Sequence, residues 1–517
     1  MGAVVSPGRM SRWMMAADDL GVRDDPVDPD VAGVPSGAVL RVLSRIADRG
    51  LNTHSLLISH RGILAFEGYW EPYTPQTSHR LYSASKSYVS VAIGALIDDG
   101  ALCLTDRLVD HFPDKVPDGV HPYVAAMTVE DLLTMRTAHR STTYKRVDEP
   151  DWVRTFFTVP PDRVPGTVFS YDTSATVVLT SLVERLSGQR LPQYLMERVL
   201  DPIGVKDPVT ALVSPAGTTA EQRAGRPTWR EMDGNPHGVT HGGSGLFATP
   251  RDFLRFAQLC LQQGSWGGQQ VVSAEYMAAA TGYQTSTAHT AGYLPDSRCG
   301  YGYQFWRTRH NGFSARGMGG QIALCLPDQE LVVVTTGDNQ GRTGTEQAFF
   351  DAIWDELLPA LDASEVGPPE AAQQLQRVRA GLALRPVPVR AAHRRDFSGR
   401  WMLDAHHDTF TGLALTVTSD HGRLELTDRG GQRRTFAFGI GHLLPHELPG
   451  YGYETLSSGA WLDEQTFYVR VHVLGRYLAQ LELSVSVCGT AVTVTMDKAA
   501  EGFAEEYRGT VSGRLEG

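Results

Sequence analysis

Leu81-Tyr82-Ser83-Ala84-Ser85-Lys86-Ser87-Tyr88 runs directly into an apolar segment, Val89 to Ile97, that stops at Gly100. Val89, Ile93, Leu96 and Ile97 recur at helical spacing and Gly100 stands where a C-terminal cap belongs, so the pattern predicts one helix opening near Ser83. Residues three apart share a helix face, which projects Ser83 and Lys86 together from the first turn. Free backbone N–H groups and the macrodipole favour negative charge there, and an alkoxide is negative. A lysine held in that positive field and partly desolvated would have a lowered pKa and could accept the Ser83 proton as a neutral amine. An S-x-x-K match fixes only two residues, so its weight comes from its surroundings.

A chain of 517 residues is too long for one typical core, and the expectation is two domains or three. Hydrophobic content of 42% with 20% charged residues describes an ordinary globular composition. The net charge of -11, with no basic run, argues against a nucleic-acid surface. Met1 to Asp19 has two arginines but no apolar core of signal-peptide length, and no stretch reaches membrane-spanning length, so a cytoplasmic protein without membrane partners is expected. Five scattered cysteines without C-x-x-C pairs fit reduced thiols rather than a disulfide framework or a zinc site.

Residues 1–35, rich in Pro, Asp and Gly, read as an arm or extended lead-in. Ser55 to Ser59 and Ile63 to Trp70 flank His60-Arg61-Gly62 as a β-hairpin. From Thr105 to Gly204 the pattern is mostly helical: Thr128 caps Val129-Glu130-Asp131, and Ser174 to Leu186 is periodic up to Gly188. Thr249-Pro250 opens another helix that Gly264 closes. Strands are expected at Tyr301 to Arg307, Phe313 to Arg316, Gln321 to Leu326 and Leu331 to Thr336, then a helix from Thr345 to Leu358. Strands at both ends with helices between predict one antiparallel sheet flanked by helices, an α+β domain over residues 36–362. Residues 363–392 read as a linker, with Pro368-Pro369 and Pro386-Val387-Pro388 around a polar helix. From 393 to 517 the residues alternate apolar and polar, as in Leu481-Glu482-Leu483-Ser484-Val485, and six or more such strands predict a small antiparallel β-barrel.

A nucleophile and base still need a third group to carry the proton to the leaving group, and donors for an oxyanion. Tyr171, in Pro165-Gly166-Thr167-Val168-Phe169-Ser170-Tyr171, sits in a turn just before a helix and offers a phenol. The order hairpin, S-x-x-K helix, helical insertion, Pro-Gly-x-x-Phe-x-Tyr, helix, then Gly242-Gly243-Ser244-Gly245-Leu246-Phe247-Ala248-Thr249-Pro250-Arg251-Asp252 resembles the serine β-lactamase and penicillin-binding-protein superfamily. Met127 to Met135, Leu200-Asp201-Pro202-Ile203-Gly204-Val205 and Gly300-Tyr301-Gly302-Tyr303-Gln304-Phe305-Trp306 carry the likeness further, over roughly residues 40 to 360. Within that superfamily the chain is similar to the class C-like branch of β-lactamases, D-amino-acid peptidases, carboxylesterases and amide hydrolases. The barrel would be lipocalin-like.

The resemblance implies Ser83 as acylated nucleophile, Lys86 as its base and Tyr171 as the acid/base that shuttles the proton. The middle motif of the family is usually Tyr-x-Asn, and here its third position is Thr173, a hydroxyl in place of an amide. The third motif, a Lys or His followed by x-Gly, has no clean match. Arg342-Thr343-Gly344 imitates it but follows the strand and leads into the terminal helix. Gly317-Met318-Gly319 is the better placement: the N–H of Met318 with that of Ser83 would form the oxyanion hole, Gly317 and Gly319 would border the substrate, and the cation is missing. His241 and Arg316 are further candidates for the cleft wall. Gly242 to Leu246 does not spell G-x-S-x-G, which excludes an α/β-hydrolase elbow. His406-His407-Asp408 is read as a solvated loop rather than a metal site.

The expectation is therefore a serine hydrolase that cleaves a small ester, amide or peptide through acyl-Ser83, with no metal or organic cofactor. Close alternatives are a transacylase or peptide cyclase, in which an amine replaces water, and a β-lactamase or D-amino-acid peptidase. A penicilloyl-binding sensor that keeps its acyl group is the non-enzymatic alternative. The barrel is expected to shape the cleft mouth or to mediate self-association.

Overall fold

In the computed structural model the described residues are 26–516, apart from 148, 207–209, 214–229, 232–237, 291, 364–367, 405–408, 476 and 501–502. A six-stranded antiparallel sheet forms the centre of the first domain. Its strands are β1 (Thr53–His60), β2 (Ile63–Tyr69), β3 (Trp306–Arg307), β4 (Phe313–Gly317), β5 (Gln321–Leu326) and β6 (Leu331–Gly337). They lie in the order β2-β1-β6-β5-β4-β3, with Ile58 opposite Val333 and Ala315 opposite Ala323, so both ends of the segment meet in one sheet as expected.

Helices cover both faces of this sheet, and the side chains sort by the two-residue period of the strands. Leu56, Ile58, Ile322, Leu324 and Val333 enter one cluster with α1 (Ser36–Asp48), α5 (Thr345–Ala352) and α6 (Pro369–Ala380). Leu57, Ala323, Cys325, Val332 and Val334 point the other way, toward α2 (Ser85–Asp98), α3 (Thr173–Ser187) and α4 (Pro250–Leu261). With no wet face the strands need no polar alternation, which is why β6 reads Leu-Val-Val-Val.

Helix boundaries follow their local signals. Thr128 and Asp131 form a reciprocal capping box, Thr249 accepts from the N–H of Asp252 ahead of Pro250, and Gly188 ends α3 in the left-handed conformation. The helix opens at Ser83 as expected, its first turn being 3-10 (Tyr82–Ala84) and running straight into α2 at Ser85, while Tyr82 takes a left-handed φ of 46° at its entry. Two expectations change. The strand expected over Tyr301 to Arg307 shrinks to β3, since Gly300 and Gln304 both take positive φ and bend the chain. The terminal helix runs to Asp362 through a π-helical turn at Ile353–Leu357.

Residues 368–392, the described part of the expected linker, pack against the first domain. In α6 Leu375 is buried against α1, and Leu384 N donates to the Glu71 carbonyl at 2.9 Å. The lead-in at 26–35 folds into a turn, with Ala32 N donating to the Asp28 carbonyl at 3.0 Å, and is anchored with His60 Nδ1 2.7 Å from the Ala32 carbonyl; residues 1–25 lie outside the described part.

Nine strands between Phe397–Leu403 and Gly509–Leu515 close into a barrel, and Leu444–Glu447 adds a tenth on its rim. A ring of alternating strands with an odd count must contain one parallel pair, and here it is Gly439 beside Ser458. Trp401, Phe410, Phe436, Phe438 and Tyr507 fill the interior, so the barrel is a packed core. Leu443, Leu456 and Leu474 on its outside pack against the cluster that holds α1 and α6. The five cysteines are unpaired, and no helix among the described residues is long and apolar enough to cross a membrane.

Candidate active site

Ser83 and Lys86 are brought together as the spacing required. Lys86 is 1% exposed, and its Nζ donates to Ser83 Oγ at 3.1 Å and to the Gly243 carbonyl at 2.5 Å. The same ammonium position is 4.8 Å from the centre of the Tyr171 ring. Burial lifts the Tyr171 phenol above the ordinary phenol range and outweighs the opposing influence of the nearby Ser83 hydroxyl, so the group keeps its proton near neutral pH. Hydroxyl, amine and phenol thus converge on one point.

The Gly242–Gly245 turn explains how Lys86 is held. A Cβ on Gly242 would lie 2.1 Å from Thr180 Oγ1 and 2.6 Å from Val89 Cγ2, and one on Gly243 would lie 2.7 Å from Thr173 Cγ2. Only glycine lets this turn slide between α2 and α3 and aim a carbonyl at the lysine. Arg80 ties the turn to the nucleophile segment, donating from Nε to the Ser244 carbonyl at 2.9 Å and from Nη2 to Ser244 Oγ at 3.0 Å.

β4 ends against the nucleophile turn. A Cβ on Gly317 would sit 2.0 Å from the Leu81 carbonyl oxygen, so glycine is what allows this approach. Met318 follows in the β4–β5 turn, 41% exposed, where Gly319 and Gly320 take φ of 84° and 100°. Gln321 Nε2 donates to the Met318 carbonyl at 3.2 Å, and Asn339 N to the Gly319 carbonyl at 2.9 Å. Gly319 therefore shapes the turn that presents Met318.

The remaining candidates separate. Thr173 starts α3, partly exposed, with its N–H on Thr142 Oγ1 at 3.1 Å, beside Gly243. His241 is 2% exposed, set edge-on to Trp152 at 5.6 Å between ring centres. Burial, with Arg80 and Lys86 close by, pushes its imidazole well below the ordinary range, so it is a neutral residue behind Lys86. Arg316 is also turned inward. Its Nε donates to Ser314 Oγ at 2.7 Å, Nη1 to Ser297 Oγ at 3.1 Å and Glu346 Oε1 at 2.8 Å, and Nη2 to the Asp296 and Arg307 carbonyls at 2.9 and 3.4 Å. Every guanidinium N–H is engaged, and the plane lies 4.6 Å from the Phe350 ring centre.

Trp306 forms a wall that sequence reading overlooked. It stacks on Tyr171 at 5.6 Å and 22° and meets Tyr293 edge-on at 5.6 Å, and both Trp306 and Tyr293 are partly exposed. The Gly243 carbonyl was also missed, although its Gly-Gly pair at a turn was the available signal. Among the described residues no three His, Cys, Asp or Glu side chains are arranged to hold a metal; His406-His407-Asp408 lie outside them.

The sequence model of the family described as Beta-lactamase matches residues 41–355, more than half of the chain. An uncharacterized protein of Mycobacterium tuberculosis is 30% identical over 276 residues, 47% of this chain and 67% of its own length. The 6-aminohexanoate-dimer hydrolase of Paenarthrobacter ureafaciens is 24% identical over 337 residues, 60% and 80% of the two chains. Among solved structures, a penicillin-binding protein homolog from Caulobacter crescentus superposes with a TM-score of 0.50 at 17% identity, over 64% of this chain and 98% of the other, a likeness of fold.

Proposed function

The chain belongs to the beta-lactamase family, and on that footing we propose that it is a serine hydrolase which forms an acyl-enzyme on Ser83. Lys86 removes the Ser83 proton as Oγ attacks the substrate carbonyl, and the N–H groups of Ser83 and Met318 receive the oxyanion. Tyr171, which keeps its proton near neutral pH, passes it to the leaving group and is refilled from the lysine side; water then releases the acid. The observation that carries this reading is the approach of Lys86 Nζ to Ser83 Oγ at 3.1 Å, with the Tyr171 ring centre 4.8 Å from the same Nζ.

The substrate we propose is a small ester or amide with an uncharged acyl part. Gly317-Met318-Gly319 offers no cation at the third motif, and Arg316, the cation nearest to it in sequence, is bound inward by all its donors. The exposed parts of Trp306, Tyr293 and Met318 offer apolar surface instead. Stopped-flow hydrolysis of a short-chain nitrophenyl ester tests the covalent step: a burst of one nitrophenol per chain is expected, lost in Ser83→Ala. Turnover in Ser83→Ala within a few-fold of wild type would refute it.

A further inference from the structure

We infer that the C-terminal barrel positions the nucleophile through Gln340; the inference rests on the reading of Ser83 as nucleophile. The loop after β6, Asp338-Asn339-Gln340, is buried and touches three things at once. On the barrel side, Gln340 Nε2 donates to the Leu478 carbonyl at 3.1 Å, and Gln480 Nε2 donates to the Asp338 carbonyl. On the nucleophile side, the same Gln340 nitrogen reaches the Tyr82 hydroxyl at 3.3 Å and Asp338 Oδ1 at 2.9 Å, so its two N–H groups are shared among these two oxygens and the Leu478 carbonyl. On the oxyanion side, Asn339 holds the Gly319 carbonyl from both N and Nδ2, at 2.9 and 3.3 Å.

Tyr82 is where this grip matters. Its φ of 46° is a left-handed conformation that a side chain disfavours, and such a residue stays there only when its surroundings hold it. The Tyr82 ring is 2% exposed, with the Arg80 guanidinium 4.3 Å from its centre and the Gln340 amide on its hydroxyl. Because Ser83 is the next residue, a small rotation at Tyr82 moves Oγ relative to Lys86 and to the Met318 N–H. One loop, clamped by two barrel residues, therefore sets both halves of the reaction geometry. Gln340 and Gln480 are positioning residues that touch no substrate.

The test uses the full chain and four variants: Gln340→Met, Tyr82→Phe, the double variant and Gln480→Met. The readouts are the acylation rate with a fluorophosphonate and kcat and KM for a nitrophenyl ester. Loss of one neutral hydrogen bond predicts about a three- to tenfold fall in the rate of serine modification and in kcat/KM, whereas kcat, set by the slower deacylation that the burst reports, changes less. Since Gln340 and Tyr82 act through the same bond, the double variant should be no slower than the slower single one. Gln480→Met, which changes only the barrel, should also slow acylation. Wild-type rates in Gln340→Met, or losses that multiply in the double variant, would overturn the inference. Should Gln340→Met fold poorly, Tyr82→Phe, which removes a single oxygen, carries the test. Acylation that persists in Ser83→Ala would refute the nucleophile assignment instead, so the two failures are distinguishable.

Discussion

β6 is buried at every residue from Leu331 to Gly337, while the barrel strand Ala479–Cys488 alternates buried and half-exposed residues through its middle. Both are antiparallel, yet one is sealed between helices and the other has a single dry face. A sealed sheet leaves no room for chemistry on its strands, so reactive groups sit where strands and helices end: the 3-10 turn at Ser83, the Gly242–Gly245 turn and the β4–β5 turn. Each depends on backbone conformations or approaches that a side chain would spoil. The barrel has regular strands and a filled interior, and its contribution to the site comes from Leu478 and Gln480 at the start of one strand.

Glycine substitutions sharpen this contrast most. In Gly317→Ala the new methyl meets the Leu81 carbonyl, which is backbone and cannot turn aside, so β4 and the nucleophile turn must part. By analogy with misplacement of a reacting group, acylation should fall about a hundredfold, measured as the fluorophosphonate rate. Gly430→Ala, in a barrel turn, meets only the Asp428 side chain at 3.3 Å and should leave that rate unchanged.

The second expectation concerns charge. Without a charge-assisted bond to a substrate carboxylate, a neutral nitrophenyl ester should have a kcat/KM about ten- to a hundredfold above that of a chromogenic cephalosporin. Arg316→Ala should leave this ratio in place and lower Tm, because it strips partners from Ser314, Glu346 and two buried carbonyls. A cephalosporin preference that vanishes in Arg316→Ala would show that the arginine reaches the cleft.

Acid should act first where the two domains meet. Burial holds His54 well below the ordinary range and lowers His79 to about 4 and His472 to about 3, and His472 of the barrel lies close enough to His54 to disfavour its protonation. These depressed values mean stability that is present above the unfolded pKa of about 6.5 and is lost as pH falls toward the folded values. Asp338 has the opposite sign: burial raises it to about 6, so its contribution is present at low pH and lost as pH rises through that value. Three histidines outweigh one carboxyl, so Tm should drop by several degrees between pH 7 and 5. His472→Leu should flatten that drop; an unchanged slope would place the acid sensitivity elsewhere.

Much of the fold was legible because it is local. The hairpin, the Thr128 and Thr249 caps, the Gly188 stop and the barrel alternation are patterns a few residues long, and S-x-x-K with Tyr171 marked the centre of the site. Contacts across the chain were not legible. Nothing near Arg316 in sequence announces Ser297, Glu346 and the Asp296 carbonyl, so its inward turn could not be foreseen. Nor does the sequence near Tyr82 reveal its left-handed backbone. The segment 363–392 reads as a linker because its polarity is plain and the buried residues among its described ones, Ala371, Leu375, Leu384 and Val387, are sparse.

The central claim is that Ser83 is the residue acylated, activated by Lys86. Full-length protein treated with a fluorophosphonate and analysed by intact mass and peptide mapping tests it most directly. One label per chain is predicted, located on Ser83, absent in Ser83→Ala and slowed by orders of magnitude in Lys86→Met. A label on any other residue, or a Ser83→Ala variant that still labels, would contradict the account.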